Sequence, residues 1–202
     1  MKLLILYYSS YGTNAELARL AAEAGEAKGA EVRVRKVTEL APDAAIDSQP
    51  AWRQHVDATS HIPVATAEDV EWSEAIIFSF PTRFGVMASQ MKQFIDTLGG
   101  LWAQGKTVNK VVTAFTSTNT THGGQEITVQ SLYTQMMHWG CVIVTPGFTT
   151  EAISAIGNPY GISVTANSDE SGAFFQEDHD TVKQAVQDMV HRLLDITEKI
   201  NA

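Results

Sequence analysis

Three polar segments that contain glycine each follow a hydrophobic run and precede a segment with helical spacing. They are Ser9–Asn14, Pro81–Gly85 and Thr116–Gly124. The first comes directly after Leu3–Tyr8, which has the composition of a buried strand. Hydroxyl groups, amide groups and the N–H groups at the start of a helix all bind anions. The three segments therefore predict one site for an anionic cofactor.

The first segment has the composition of a site for a single terminal phosphate. The hydroxyls of Ser9, Ser10 and Thr13 and the amide of Asn14 can donate hydrogen bonds, and the helix dipole adds about 0.3–1 kcal/mol. A Walker loop requires a lysine, and a dinucleotide fingerprint requires three glycines, whereas this segment has only Gly12. Flavin mononucleotide (FMN) is the cofactor that fits. An ordinary strand-to-helix turn with a Ser or Thr cap remains the alternative.

Composition excludes several classes of function. The chain has 202 residues, a formal net charge of -9 and a pI near 5.0, which disfavour binding to nucleic acid or to an anionic membrane. No apolar run approaches the roughly 18 residues of a membrane span, and the N-terminus has no signal pattern. The single cysteine, Cys141, begins an apolar run and is interpreted as a small buried hydrophobe. We expect a soluble cytoplasmic protein, and the histidine spacing predicts no metal site.

Strand-like and helix-like segments alternate along the whole chain. Strands are predicted at residues 3–8, 31–36, 75–80, 111–116 and 142–145. The second alternates apolar and charged residues, which is typical of an edge strand, whereas the first and third are continuously apolar. The pattern predicts one α/β domain with a doubly wound, five-stranded parallel sheet in the order 2-1-3-4-5 and helices on both faces.

Two stretches do not fit this minimal fold. Residues 41–65 contain three prolines without sustained periodicity, and residues 151–174 are rich in Gly, Ser and Asn. Long loops within a compact domain commonly serve function or assembly, and a disordered surface excursion is the alternative.

The chain resembles the WrbA-type NAD(P)H:quinone oxidoreductases in an ordered set of motifs. The motifs are Tyr7–Gly12, Ile62–Thr66, Pro81–Gly85, Gly99–Ala103, His122–Glu126 and Asn158–Gly161. The resemblance implies a flavodoxin-like fold, FMN as the cofactor, a homotetramer, and transfer of two electrons from NADH or NADPH to quinones. Thr13-Asn14 stands where that family more usually has His-Ile, and Thr121-His122 lengthens the third segment by one residue.

The resemblance also implies roles for individual residues. Cofactor-binding residues are Ser9, Ser10, Tyr11, Gly12, Thr13, Asn14, Pro81, Thr82, Arg83, Phe84, Gly85, Ser117, Thr118, Asn119, Thr120, Gly123, Gly124 and His138. His138 and Trp102 are the catalytic residues, and Tyr11 and Trp102 bind the pyridine nucleotide or the quinone.

The chemistry of flavin reduction accounts for these residue types. The two-electron-reduced flavin is an anion, and the backbone amides of Gly123 and Gly124 are expected to stabilise its negative edge. Trp102 offers a flat surface for stacking, and His138 can donate a hydrogen bond to a quinone oxygen. Three alternatives remain open at this point. They are a flavodoxin-like carrier of single electrons, a reductase of azo or nitro compounds, and a flavin-free regulatory protein.

Overall fold

A computed structural model describes residues 1–167 and 174–202 of the chain. The strands are β1 (Lys2–Tyr7), β2 (Glu31–Lys36), β3 (Ala75–Arg83), β4 (Val86–Met87), β5 (Val111–Thr118), β6 (Val142–Ile143) and β7 (Ile162–Thr165). The helices are α1 (Thr13–Ala27), α2 (Asp43–Asp47), α3 (Pro50–Ala58), α4 (Ala67–Trp72), α5 (Ser89–Asp96), α6 (Gly99–Ala103), α7 (Gln125–His138), α8 (Glu151–Ile156) and α9 (His179–Asn201). Within those residues, no helix has the length and apolar character needed to span a bilayer.

The strands form a parallel sheet in the order β2-β1-β3-β5-β6. In the numbering of the predicted strands this is 2-1-3-4-5, so the predicted topology is confirmed. β1, β3 and β5 run parallel and are aligned at their N-terminal ends, where Leu3 pairs with Ala75 and Ala75 pairs with Val111. Their carboxyl ends therefore also lie side by side. The three segments singled out in the sequence follow these strands and therefore share one edge of the sheet.

Two separate strands share the fifth position of the sheet. β6 pairs with the first residues of β5, and β7 pairs with the last four residues of β5. The predicted fifth strand, residues 142–145, is therefore shortened to Val142–Ile143. The chain between β6 and β7 leaves the sheet. It returns at Ile162–Thr165, whose residues are buried and pair with the last part of β5.

Helices cover both faces of the sheet, as predicted. Alternate residues of β1 point to opposite faces, so Leu3 and Ile5 pack with α1 and α9, whereas Leu4 and Leu6 pack with α5 and α7. Each face has its own apolar core. These two cores hold the carboxyl edge of the sheet rigid beneath the candidate site.

The charged residues of the edge strand β2 alternate with apolar ones and form ion pairs. Arg33 and Arg35 both contact the Asp69 carboxylate, at 3.2 and 3.0 Å. Burial by itself would raise the pKa of Asp69, but the hydrogen bonds from Arg35 and from the Thr66 backbone lower it below its usual value. Thr66 and Asp69 also form the capping box of α4.

The two stretches predicted as long loops contain regular structure. Residues 41–65 include α2 and α3, and Pro50 begins α3 at a position that favours proline. The sequence shows no sustained periodicity here because α3 has only 9 residues and none of them is fully buried. Residues 151–174 include α8 and β7, while residues 168–173 of that stretch lie outside the described part of the chain.

Candidate functional site

The three segments predicted to form one site contact one another at the carboxyl edge of the sheet. Arg83 Nη2 donates to Ser10 Oγ at 3.3 Å and connects the second segment to the first. Ser117 Oγ donates to the side-chain oxygen of Asn14 at 2.6 Å and connects the third segment to the first. A Cβ on Gly124 would lie 3.3 Å from the Cα of Gly85, so the second and third segments also touch.

The first loop presents backbone N–H groups at the start of α1. Gly12 has the left-handed φ of 106°, and no side chain caps the helix. The first intrahelical hydrogen bond runs from Glu16 N–H to the Gly12 carbonyl at 2.8 Å, so the N–H groups of Thr13, Asn14 and Ala15 have no helical acceptor. This geometry is suited to binding a phosphate.

Asn14 has a structural position that its place in the loop did not predict. Its side chain is 1% exposed, donates to Ser79 Oγ at 3.2 Å and accepts from Ser117 Oγ. The side-chain amide thus joins the start of α1 to β3 and β5 beneath the loop instead of facing a ligand. The Thr13 hydroxyl also has a partner, because it donates to the Phe174 carbonyl at 3.1 Å.

Replacing Asn14 with alanine should lower the free energy of unfolding by about 2 kcal/mol, because the buried Ser117 hydroxyl loses its acceptor and Ser79 loses one donor while it still donates to the backbone carbonyl at position 14. It should also weaken FMN binding, because the loops lose their connection. Asn158→Ala is the matched control, since Asn158 is buried and bonds Ser163 and Tyr160 away from the loops. Urea unfolding and FMN titration would measure both effects. Equal FMN affinities of the two variants would contradict this role for Asn14.

A buried hydrogen-bond network holds Ser10 in place. The Ser10 hydroxyl donates to Tyr8 Oη at 3.2 Å, and Tyr8 Oη donates to Glu39 at 3.0 Å. Glu39 also accepts from Trp52 Nε1 and Gln90 Nε2. Burial alone would raise the pKa of Glu39, but hydrogen bonds from the Ala41 amide, Gln90 and Tyr8 lower it below its usual value. The sequence did not predict this network because Tyr8, Glu39, Trp52 and Gln90 lie in four separate parts of the chain.

The second segment is a tight hairpin rather than a free loop. Pro81, Thr82 and Arg83 continue β3, and Thr82 pairs with Met87 of β4. Phe84 and Gly85 form the turn, with left-handed φ values of 54° and 85°. The Phe84 ring is fully exposed. A bulky residue held in this conformation with an exposed ring is consistent with a contact surface for a planar ligand.

The third segment folds around its own backbone. Gly123 N–H donates to the Thr120 carbonyl at 3.0 Å, and Gln125 Nε2 donates to the carbonyls of Thr120 and Thr121. Gly124 is left-handed and precedes α7 without a side-chain cap. The sequence predicted that the N–H groups of Gly123 and Gly124 bind the anionic edge of the flavin. The N–H of Gly123 is already bonded to Thr120, so the N–H groups that open α7 are better placed for an anionic ligand.

Trp102 and His138 lie together, but they are remote from the three segments in the same chain. Trp102 Nε1 donates to the His138 carbonyl at 2.9 Å. His138 ends α7, whose 14 residues begin beside the third segment. A helix of that length spans about 20 Å. One chain therefore does not bring the two predicted catalytic residues to its own cofactor loops.

The remaining predicted contacts have ordinary surroundings. Tyr11 is half exposed and packs against Trp52 with ring centroids 6.1 Å apart, while Asn119 and Thr120 are exposed. Burial raises the pKa of the Cys141 thiol to about 12, so it is a poor nucleophile at neutral pH. Residues 1–167 and 174–202 contain no cluster of His, Cys, Asp and Glu arranged to hold a metal.

A doubly wound sheet with phosphate-binding geometry after its first strand defines a flavodoxin-like mononucleotide-binding protein. The crystal structure of a WrbA-like flavodoxin from Agrobacterium tumefaciens has this fold, with a TM-score of 0.62, 19% identity and 98% coverage of both chains. The chain belongs to the family described as NADPH-dependent FMN reductase, whose model matches residues 1–153.

Two curated relatives cover most of the chain. A protein of Deinococcus radiodurans named NAD(P)H dehydrogenase (quinone) is 49% identical, over 99% of this chain and 97% of the relative. A protein of the same name from Paracoccus denitrificans is 42% identical, over 84% of this chain and 81% of the relative.

Proposed function

We propose that this protein is an FMN-dependent NAD(P)H:quinone oxidoreductase. The observation that carries the proposal is the meeting of three connected loops at the carboxyl edge of the sheet, where α1 and α7 both begin without side-chain caps. Family membership and the names of the two relatives support the same function. When bound, FMN accepts a hydride from NADH or NADPH and passes two electrons to a quinone.

The residues of the site divide into a phosphate end and a ring end. The Ser9 hydroxyl and the N–H groups at the start of α1 bind the phosphate of FMN, while Ser10 connects this loop to Tyr8 and Arg83. The Thr82–Gly85 hairpin borders the ring, and Arg83 links this hairpin to the phosphate loop. The start of α7 directs the positive end of its dipole towards the ring edge that gains negative charge.

The functional unit is a homotetramer in which Trp102 and His138 line the flavin cleft of a neighbouring subunit. Two observations support this arrangement. Trp102 is 55% exposed, although it is a large aromatic residue, and nearby Met137 is also exposed. Trp102 and His138 are separated from their own chain's loops by the length of α7. In the neighbour's cleft, Trp102 stacks on the nicotinamide or quinone, and His138 donates a hydrogen bond to the quinone oxygen.

Steady-state kinetics should show exchange at one site. Varying benzoquinone at several fixed NADH or NADPH concentrations should produce parallel double-reciprocal lines, because both planar substrates occupy the same cleft in turn. Failure to oxidise NAD(P)H, with electron transfer only to a protein acceptor, would identify an electron carrier instead. Turnover of azo dyes without turnover of quinones would also contradict the proposal.

A further inference from the structure

A cavity of about 280 Å³ opens beside the phosphate loop. Its walls are formed by the end of β1 and Ser9, by the segment that follows β2, and by α3. Two basic side chains line it, Lys36 from the end of β2 and His55 from α3. Residues 9–14 contain no basic side chain, so these two groups come from outside the loop.

The side chains of the loop itself have few donors left for a phosphate. Thr13 donates to the Phe174 carbonyl, Ser10 donates to Tyr8, and Asn14 is held by Ser79 and Ser117. Ser9 Oγ accepts from Gly12 N–H at 3.0 Å, which leaves its proton available. A phosphate monoester carries about 1.5 to 2 negative charges near pH 7, and buried negative charge is stable only when it is paired.

Lys36 and His55 are placed to provide that pairing. His55 Nδ1 lies 3.7 Å from the position that a Cβ on Gly12 would occupy, so the imidazole lies against the loop. Lys36 Nζ donates to the carbonyl of Thr59, which follows the C-terminal end of α3, at 2.7 Å. Neither side chain forms an ion pair within residues 1–167 and 174–202.

The electrostatics of the cavity favour an anion. Burial lowers the pKa of Lys36, and burial together with the charge of Lys36 lowers the pKa of His55. The cavity also contains the Glu39 carboxylate, but Tyr8, Gln90 and Trp52 already donate to it. A dianion bound beside both side chains would oppose these effects and favour the charged forms of Lys36 and His55.

We propose that His55 and Lys36 bind the phosphate of FMN together with the N–H groups at the start of α1. This inference rests on FMN binding at the three loops, as proposed above. It assigns a binding role to α3, an element of residues 41–65 that the minimal fold does not require. His55, which lies against the loop, contacts the phosphate directly, and Lys36 adds its positive charge from farther away.

Comparing FMN with riboflavin tests the inference, because riboflavin has the same ring and ribityl chain but no phosphate. Flavin fluorescence would give the dissociation constants of wild type, His55→Gln, Lys36→Met and His61→Gln. We expect His55→Gln to raise the dissociation constant of FMN about 10-fold, which is typical for loss of a charge-assisted hydrogen bond, and to leave that of riboflavin within about 2-fold. Lys36→Met should act in the same direction. His61 is exposed and serves as the control on the same stretch of chain.

The pH dependence of FMN binding gives a second readout. A bound dianion raises the lowered pKa of His55, so binding takes up a proton, and FMN affinity falls as pH rises through the pKa of His55 in the complex. Tyr7, Tyr8, Glu39 and Lys36 face the same cavity. Burial raises the pKa of both tyrosines, and that of Glu39 is lowered, so none of these three titrates near pH 7. Calorimetry in buffers of different ionisation enthalpy should detect proton uptake by wild type and a smaller uptake by His55→Gln.

Each outcome is decisive for one of the two proposals. An unchanged FMN affinity in His55→Gln would overturn the inference while leaving the proposed function intact. Equal weakening of FMN and riboflavin would also overturn it, because the role of His55 would then be structural. A wild-type protein that binds neither flavin would contradict the proposed function itself.

Discussion

Replacing Gly12 with alanine should abolish stable retention of FMN, with a rise in the dissociation constant of at least about 30-fold, equivalent to about 2 kcal/mol. Gly12 has a φ of 106°, in the left-handed region that side chains rarely adopt. A Cβ at this position would lie 2.7 Å from Cε1 of Phe174 and 3.7 Å from Nδ1 of His55. The loop, the Phe174 ring or both must therefore move, and the N–H groups that bind the phosphate move with them.

Gly29→Ala is the matched control for this substitution. Gly29 has a φ of 84°, but a Cβ there would meet nothing within 4 Å. It should cost about 1 kcal/mol of stability through backbone strain alone and leave FMN affinity unchanged. FMN titration and thermal unfolding of both variants would separate strain from the steric effect at the site. Retention of FMN by Gly12→Ala at wild-type affinity would show that the phosphate does not bind at this loop.

Replacing Trp102 with alanine should lower kcat/KM for quinones by about 100-fold, while the dissociation constant of FMN stays within about 3-fold. The reason is the distance of about 20 Å between the two ends of α7. Trp102 is too far away to touch the phosphate loop of its own chain, and in the arrangement proposed above it stacks in the cleft of a neighbouring subunit. Trp102→Phe is the control, because it retains an aromatic surface and should keep most of the activity.

Mixing two inactive variants tests whether the site is shared between subunits. Gly12→Ala retains Trp102 but loses FMN, and Trp102→Ala retains the FMN loops. After co-refolding, about one quarter of the sites should combine an intact loop with an intact Trp102, because each is present in half of the subunits. Size-exclusion chromatography would verify that both variants assemble. Mixed oligomers without recovered activity, or an active wild-type monomer, would contradict a shared site.

The order of the strands and the edge where the site lies could both be predicted from the sequence. The continuous apolar runs at Leu3–Leu6 and Ala75–Phe78 indicated central strands, and the alternation of Val32, Arg33, Val34 and Arg35 indicated an edge strand. These patterns are local, because burial on one face or on both determines which residues a strand can contain. The same patterns placed three polar segments after β1, β3 and β5, and parallel pairing then brought them together.

Other features of the site depended on residues that are distant in the sequence. The Asn14 amide fits a phosphate loop by type, but the proximity of Ser79 and Ser117 commits it to holding the strands together. α3 was missed because a helix of 9 residues without a fully buried residue gives too short an apolar pattern to stand out. The length of α7 separated His138 from the loops that the resemblance had grouped it with.

The sequence by itself thus determined the fold class, the cofactor class and the edge of the sheet where the candidate site lies. The fold class and that edge follow from the free energy of burying apolar side chains, which leaves a periodic pattern along the chain. The cofactor class follows from the polar residue types of the first segment and from the resemblance. Tertiary structure alone decided which hydrogen-bond donors were already engaged, and it brought Lys36 and His55 to the cavity beside the first loop. Hydrogen bonds and ion pairs act over a few ångströms between residues far apart in the chain, so no local pattern records them.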